Sequence, residues 1–142
     1  MFRQMRHVRR WTVLLGVCLC TFAACSPPSG GVTRGEANVE SIEILILESF
    51  PVQVQVIARG YLPDGCTEID QVSQRREEET FWIEITTARP TGQSCTQVIV
   101  PFEESVSLDV AGLPAGTYTV DVNGVSGTFT LAVDNVLEED GG

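Results

Sequence analysis

From Ser41 onward apolar and polar residues alternate with a period of two, the pattern of strands that bury one face. Ile42, Ile44 and Ile46 alternate with Glu43, while Leu45 and Leu47 fill the other face of the same strand. Glu48-Ser49-Phe50-Pro51 breaks it, and Val52, Val54 and Val56 then alternate with Gln53 and Gln55 as far as Gly60. Leu62-Pro63-Asp64-Gly65 has turn chemistry, with Pro second and Gly fourth. A less regular strand from Cys66 to Ser73 carries Ile69 and Val72, and the charged run Gln74–Glu79 predicts a solvated hairpin tip. Phe81, Ile83 and Ile85 mark the next strand, which stops at Arg89-Pro90-Thr91-Gly92. Val98, Val100 and Phe102 follow Cys95, and after a break at Glu103-Glu104 come Val106, Leu108 and Val110.

The C-terminal pattern fixes a register. Asn123-Gly124 is a strong two-residue hairpin signal, because a type I′ turn needs positive φ at both positions. That turn sets Val122 opposite Val125, Val120 opposite Gly127 and Tyr118 opposite Phe129, with Thr119, Asp121, Ser126 and Thr128 on the other face; a slip of one residue would destroy the agreement. No stretch has helical periodicity of useful length. Seven or eight short strands with turns every roughly 8 to 12 residues predict an all-β fold, an antiparallel β-sandwich. The run Leu113–Gly124 with Phe129 and Leu131 resembles the last two strands of immunoglobulin-like domains in bacterial surface proteins. The resemblance implies an Ig-like or fibronectin-like sandwich in which Tyr118 is a tyrosine-corner residue, its hydroxyl bonded to backbone.

Upstream of the strands the pattern is different. Arg3, Arg6, Arg9 and Arg10 precede an apolar run from Trp11 to Ala24 with no acidic residue. At roughly 21 Å as a helix this run is too short for a hydrocarbon core of about 30 Å, so it predicts a removed export signal over residues 1–24. Phe22-Ala23-Ala24-Cys25 resembles the lipobox of bacterial lipoproteins, although that family usually carries Leu where this chain has Phe22. The resemblance implies a diacylglyceryl group on the sulfur of Cys25 and a mature N-terminus there, with the acyl chains, palmitate among them, as the membrane contact. An ordinary secretory signal cut near Ala24, with Cys25 a bystander thiol, is the alternative, and Arg9-Arg10 raises a twin-arginine signal as another. Ser26–Glu40 is rich in Gly, Pro and Ser. It predicts, with Cys25, a flexible tether over residues 25–40 that holds a domain at 41–134 about 20 Å from the membrane, and 135–142 predicts an acidic disordered tail.

Removing the signal leaves Cys25, Cys66 and Cys95. With Cys25 taken by lipid, an exported protein with an even remainder implies a Cys66–Cys95 disulfide. It also leaves 118 residues, enough for one core, with five arginines against 19 acids, a net charge of −14. Such acidity argues against nucleic acid, which is held through Lys and Arg on phosphates. It argues equally against docking by charge on anionic lipid. No Lys or His follows residue 24, which excludes His-based triads, Schiff-base lysines and His-ligated zinc. A carboxylate pair is not excluded by composition, but the acids fall in turns and on outward faces. No cofactor or metal motif is present; Glu77-Glu78-Glu79 and Glu138-Glu139-Asp140 have the oxygen ligands Ca²⁺ favours, and equally suit a solubilising tip and tail.

Trp82 falls on the face opposite Phe81, Ile83 and Ile85. It is either an exposed anchor for a partner or covered by a loop or the second sheet. If the cysteines pair, the turn Leu62–Cys66 and the loop Arg89–Cys95 share one end of the sandwich, a structural staple or a set of binding loops. The expectation is a lipid-anchored, extracytoplasmic, non-catalytic binding or structural module of the cell envelope, with an envelope protein or ligand as partner. The rivals are a protease inhibitor presenting loops at one end, a ligand-binding lipoprotein serving a transporter, and an enzyme. A rigid apolar loop would favour the inhibitor, a deep pocket ligand binding, and a smooth acidic surface a spacer.

Overall fold

The alternating segments pair into strands across residues 30–136, which are the residues described by the computed structural model. The strands are β1 (Val32–Glu36), β2 (Asn38–Leu47), β3 (Gln53–Leu62), β4 (Glu68–Glu77), β5 (Thr80–Pro90), β6 (Val100–Leu108), β7 (Gly116–Val122) and β8 (Val125–Leu131). The result is an all-β sandwich. One sheet has the order β2-β3-β6; the other is built on β5, with β4 along one edge and both β7 and β1 sharing the opposite edge. Between the sheets lie Val54, Val56 and Ala58 of β3, Phe81, Ile83 and Ile85 of β5, and Tyr118, Val120 and Val122 of β7. Phe81, Tyr118 and Phe129 form an aromatic trio with centroids 5.5 to 6.1 Å apart.

The hairpin β7–β8 has Val122 opposite Val125, Val120 opposite Gly127 and Tyr118 opposite Phe129. Asn123 and Gly124 take φ of 47° and 89°, the positive pair a type I′ turn requires. A Cβ at Gly127 would lie 3.0 Å from the Ile44 side chain, so the absent side chain is what lets β8 approach β2. Tyr118 is buried and its hydroxyl donates to the Pro114 carbonyl at 2.8 Å.

Four expectations are corrected. Residues 32–40 are strand, not tether: β1 pairs with residues 86–90 of β5, and after the single residue Ala37 the chain enters β2 in the other sheet. Their lack of apolar periodicity misled because β1 is exposed at every position and is held by backbone pairing and the Arg34–Asp70 ion pair, not by burial. Asn135 is no part of a disordered tail; it is 1% exposed and fixed at both its backbone and its side chain. The charged run 74–79 is mostly strand, with Glu77 opposite Thr80 and a tip of Glu78-Glu79 only. Glu103 does not break β6, because its carboxylate faces outward onto Arg59, which also holds Glu43, at 2.7 and 2.9 Å.

The pairing is not wholly antiparallel. β5 and β7 run parallel over residues 80–83 and 119–122, joined by a crossover that uses β6 in the opposite sheet. The expected signal, Cys25 and the segment to residue 29, with residues 137–142 of the tail, lie outside the described residues.

Candidate functional site

Where β7 leaves the edge of β5 and β1 takes it over, the ladder of hydrogen bonds has a gap, and the side chain of Asn123 fills it. Its Oδ1 accepts from Ile85 N–H at 3.0 Å, and its Nδ2 donates to the carbonyls of Ala37 and Ile85 at 2.8 and 2.9 Å. Asn123 was expected only as a turn former. Its amide does the work of a missing strand residue, bonding the Ile85 N–H and the Ala37 carbonyl and adding a second bond to the Ile85 carbonyl, which also accepts from Ala37 N–H at 2.9 Å.

Beside that plug the outer face of the five-stranded sheet holds an open hollow of about 580 Å³ lined by Glu36, Arg75, Trp82, Glu84, Asp121 and Asn123, among others. Strand register builds it: Arg75 on β4, Trp82 on β5, Asp121 on β7 and Ser126 on β8 stand in one row across four strands. Trp82 is half-buried. It lies on the outer face of its sheet, with the Arg75 guanidinium 5.4 Å from the ring centroid. Arg75 is held in turn by Glu77 at 3.1 Å. Asp121 is fixed by Gly124 N–H at 2.9 Å and the Ser126 hydroxyl at 2.7 Å. The Trp82 indole N–H is shielded and has no hydrogen-bond partner among the described residues. The hollow thus offers an aromatic surface and three carboxylates against one arginine already engaged.

The second cluster lies at the end of the sandwich where β3 and β5 finish. Cys66 and Cys95 form a disulfide with Cα atoms 5.6 Å apart. Beneath it Asp64 is buried, a residue the sequence reading treated only as part of a turn. One oxygen accepts from Cys66 N–H, Thr67 N–H and the Thr67 hydroxyl, and the other meets Arg89 Nε at 2.7 Å. These contacts, Arg89 first, hold its pKa down at about 2 from an ordinary 3.8, against the opposing effect of burial. Asp64, Cys66 and Cys95 are the one grouping of potential metal ligands among the described residues, but the two sulfurs are bonded to each other. In the acidic run, Glu77 is taken by Arg75, and the Glu78 carbonyl accepts from Arg76.

The Asp64 arrangement carries a pH dependence. A carboxyl whose folded pKa lies below its unfolded value contributes stability that is present above about pH 4 and is lost as pH falls toward about 2. Urea midpoints measured across that interval should fall for the wild type and fall less steeply for Asp64→Asn, which starts lower at neutral pH. Parallel curves for the two proteins would contradict this role.

The model of one family, the ORF11 beta-sandwich domain, matches residues 56–131. An uncharacterized 10.2 kDa protein in the HgiCIIM 5′ region of Herpetosiphon aurantiacus is 39% identical over 93 residues, 66% of this chain and 98% of that protein. Two more uncharacterized 10.2 kDa proteins of the same organism, in the HgiBIM and HgiEIM 5′ regions, are each 43% identical over 83 residues, 58% of this chain and all of theirs. No solved structure matches the chain.

Proposed function

The chain belongs to the ORF11 beta-sandwich domain family, and we propose that it is a non-catalytic binding module of the cell envelope, anchored through lipid on Cys25, that takes a positively charged peptide segment in the hollow beside Trp82. The observation that carries the reading is the acidic border of the hollow, Glu36, Glu84 and Asp121 around Trp82, against the single arginine Arg75, which Glu77 already engages. The Lys or Arg side chains of a peptide suit the three carboxylates, and their apolar stems suit the aromatic surface. No described group there has the arrangement of a nucleophile with its base.

Trp82 reports on its own site, since the other tryptophan, Trp11, lies within the expected signal. Titrating the protein with a Lys- and Arg-containing peptide should shift Trp82 emission saturably. Glu84→Gln combined with Asp121→Asn should weaken the midpoint by about tenfold, a loss on the order of 1.4 kcal/mol spread over two charge contacts. Emission that stays constant through the titration, or a midpoint indifferent to both substitutions, would refute the reading.

A further inference from the structure

We infer that the loop from Thr91 to Ile99 is a membrane-facing foot, its Val98 and Ile99 side chains resting in the bilayer surface beside the anchor; the inference rests on lipidation at Cys25. Both side chains are 62% exposed, and Val32, at the same end of the sandwich, is 50% exposed. From Pro90 to Phe102 the chain has no charged residue, whereas one residue in five is charged overall. The two arginines at this end are matched by carboxylates, Arg89 by Asp64 and Arg34 by Asp70, which leaves, among the described residues, Glu40 and Glu68 as unpaired acids near it, both set back on the strands from the loop.

The loop is also held rigid. The Cys66–Cys95 disulfide ties it to the turn after β3, and Gly65 N–H donates to the Thr96 carbonyl at 3.1 Å. At its start the N–H and hydroxyl of Thr91 both donate to the Gly31 carbonyl at 2.8 Å. An apolar pair on a fixed frame loses little conformational entropy when it is covered.

The occupant follows from where the described chain begins. Gly31 is hydrogen-bonded to the first residue of the loop, and it stands six residues after Cys25, a reach of at most about 20 Å when fully extended. The end that carries Val98 and Ile99 is therefore the end kept at the bilayer. Strands of about ten residues set the other end, with Glu48, Glu78, Glu79 and Asp109, on the order of 30 Å further away. The acids there are repelled by anionic lipid. A soluble protein bound to the loop, as an inhibitor's target would be, has little room in the same interval. Each side chain fully buried in lipid would strengthen membrane contact by about tenfold or more.

The test places a tryptophan at each end of the lipidated protein, Ile99→Trp in the loop and Val133→Trp, a position 57% exposed at the far end. Each is floated with vesicles of phosphatidylethanolamine and phosphatidylglycerol whose acyl chains are brominated, with wild-type Trp82 emission as baseline. Ile99→Trp should be quenched several-fold more than Val133→Trp. Equal quenching at the two positions in protein that floats would overturn the foot and leave the anchor standing. A blue-shifted but unquenched Ile99→Trp, as when a second copy or a partner covers the loop, would overturn it as well. Protein that fails to float would overturn anchor and foot together.

Discussion

Asn135→Ala is expected to destabilise the sandwich by about 3 to 5 kcal/mol, out of a total on the order of 5 to 15 kcal/mol for a domain of this size. The side chain lies where the chain enters β3 and leaves β6, just beyond their last paired residues Val54 and Leu108. Its Oδ1 accepts from Val52 N–H at 2.7 Å, and its Nδ2 donates to the carbonyls of Val52 and Val110 at 2.9 Å. Its own backbone is bonded at both groups, the carbonyl to Gly112 N–H and the N–H to the Leu113 carbonyl, each at 2.7 Å. Alanine keeps the backbone bonds and deletes all three side-chain bonds at once. It leaves the Val52 N–H and carbonyl without partners and the Val110 carbonyl with only its longer bond from Leu113 N–H at 3.3 Å, in a place that is 1% exposed at the asparagine. Each such group costs about 1 to 3 kcal/mol when water cannot replace the partner. Thermal unfolding should show the loss as a fall in midpoint of about 15 °C. A fall of only a few degrees would mean that the last described residues are not part of the cooperative unit.

Asn123 and Asn135 show where the sequence was legible and where it was not. The Asn-Gly pair announced its hairpin because a local rule governs it: positive φ twice in succession suits few residues. The correct register and the buried face of β7 and β8 followed from that turn and from alternation. What did not follow is that the Asn123 amide would close a gap between β1 and β7 on β5, a relation over 86 residues of chain at Ala37. Asn135 gave no signal at all, since an asparagine ahead of an acidic run reads as tail until its distant partners are known. β1 was missed for the opposite reason: its five residues are all exposed, and the alternation rule detects burial, not pairing. Asp64 did have a signal, an Asp just before Gly-Cys-Thr being suited to accept the amides two and three residues on.

The hollow was half legible. Trp82 stood out as a large aromatic on the outward face, and Glu84 and Asp121 share that face by alternation. Arg75 could not be placed with them, because the charged run it belongs to looked like a turn. Only the register of four strands brings Arg75, Trp82, Asp121 and Ser126 into one row. The disulfide was legible by count alone, once the signal and its cysteines were set aside. Its structural sense came later, as the clamp that fixes an uncharged loop beside the N-terminal strand.

The shortened tether changes what anchoring would mean. With strand pairing beginning at Val32, about six residues separate Cys25 from the folded domain, not the 15 expected. A domain held so close would be oriented by its anchor, with the hollow on the flank of the sandwich and the acidic end outward. Two acyl chains at about 0.8 kcal/mol per buried methylene hold a protein stably, whereas the acidic domain has no charge attraction to offer in their place. Loss of the chains should therefore release it completely.

Phase partition of the protein between detergent and water, for the wild type and for Cys25→Ala expressed with the whole N-terminal segment, tests the location on which this function depends. The account predicts wild-type protein in the detergent phase, labelled by radioactive palmitate, and Cys25→Ala unlabelled. It further predicts that the soluble fraction of Cys25→Ala, cut by the general signal pathway, remains in water. Wild-type protein that stays in water, or Cys25→Ala that still enters detergent as a processed chain, would contradict it.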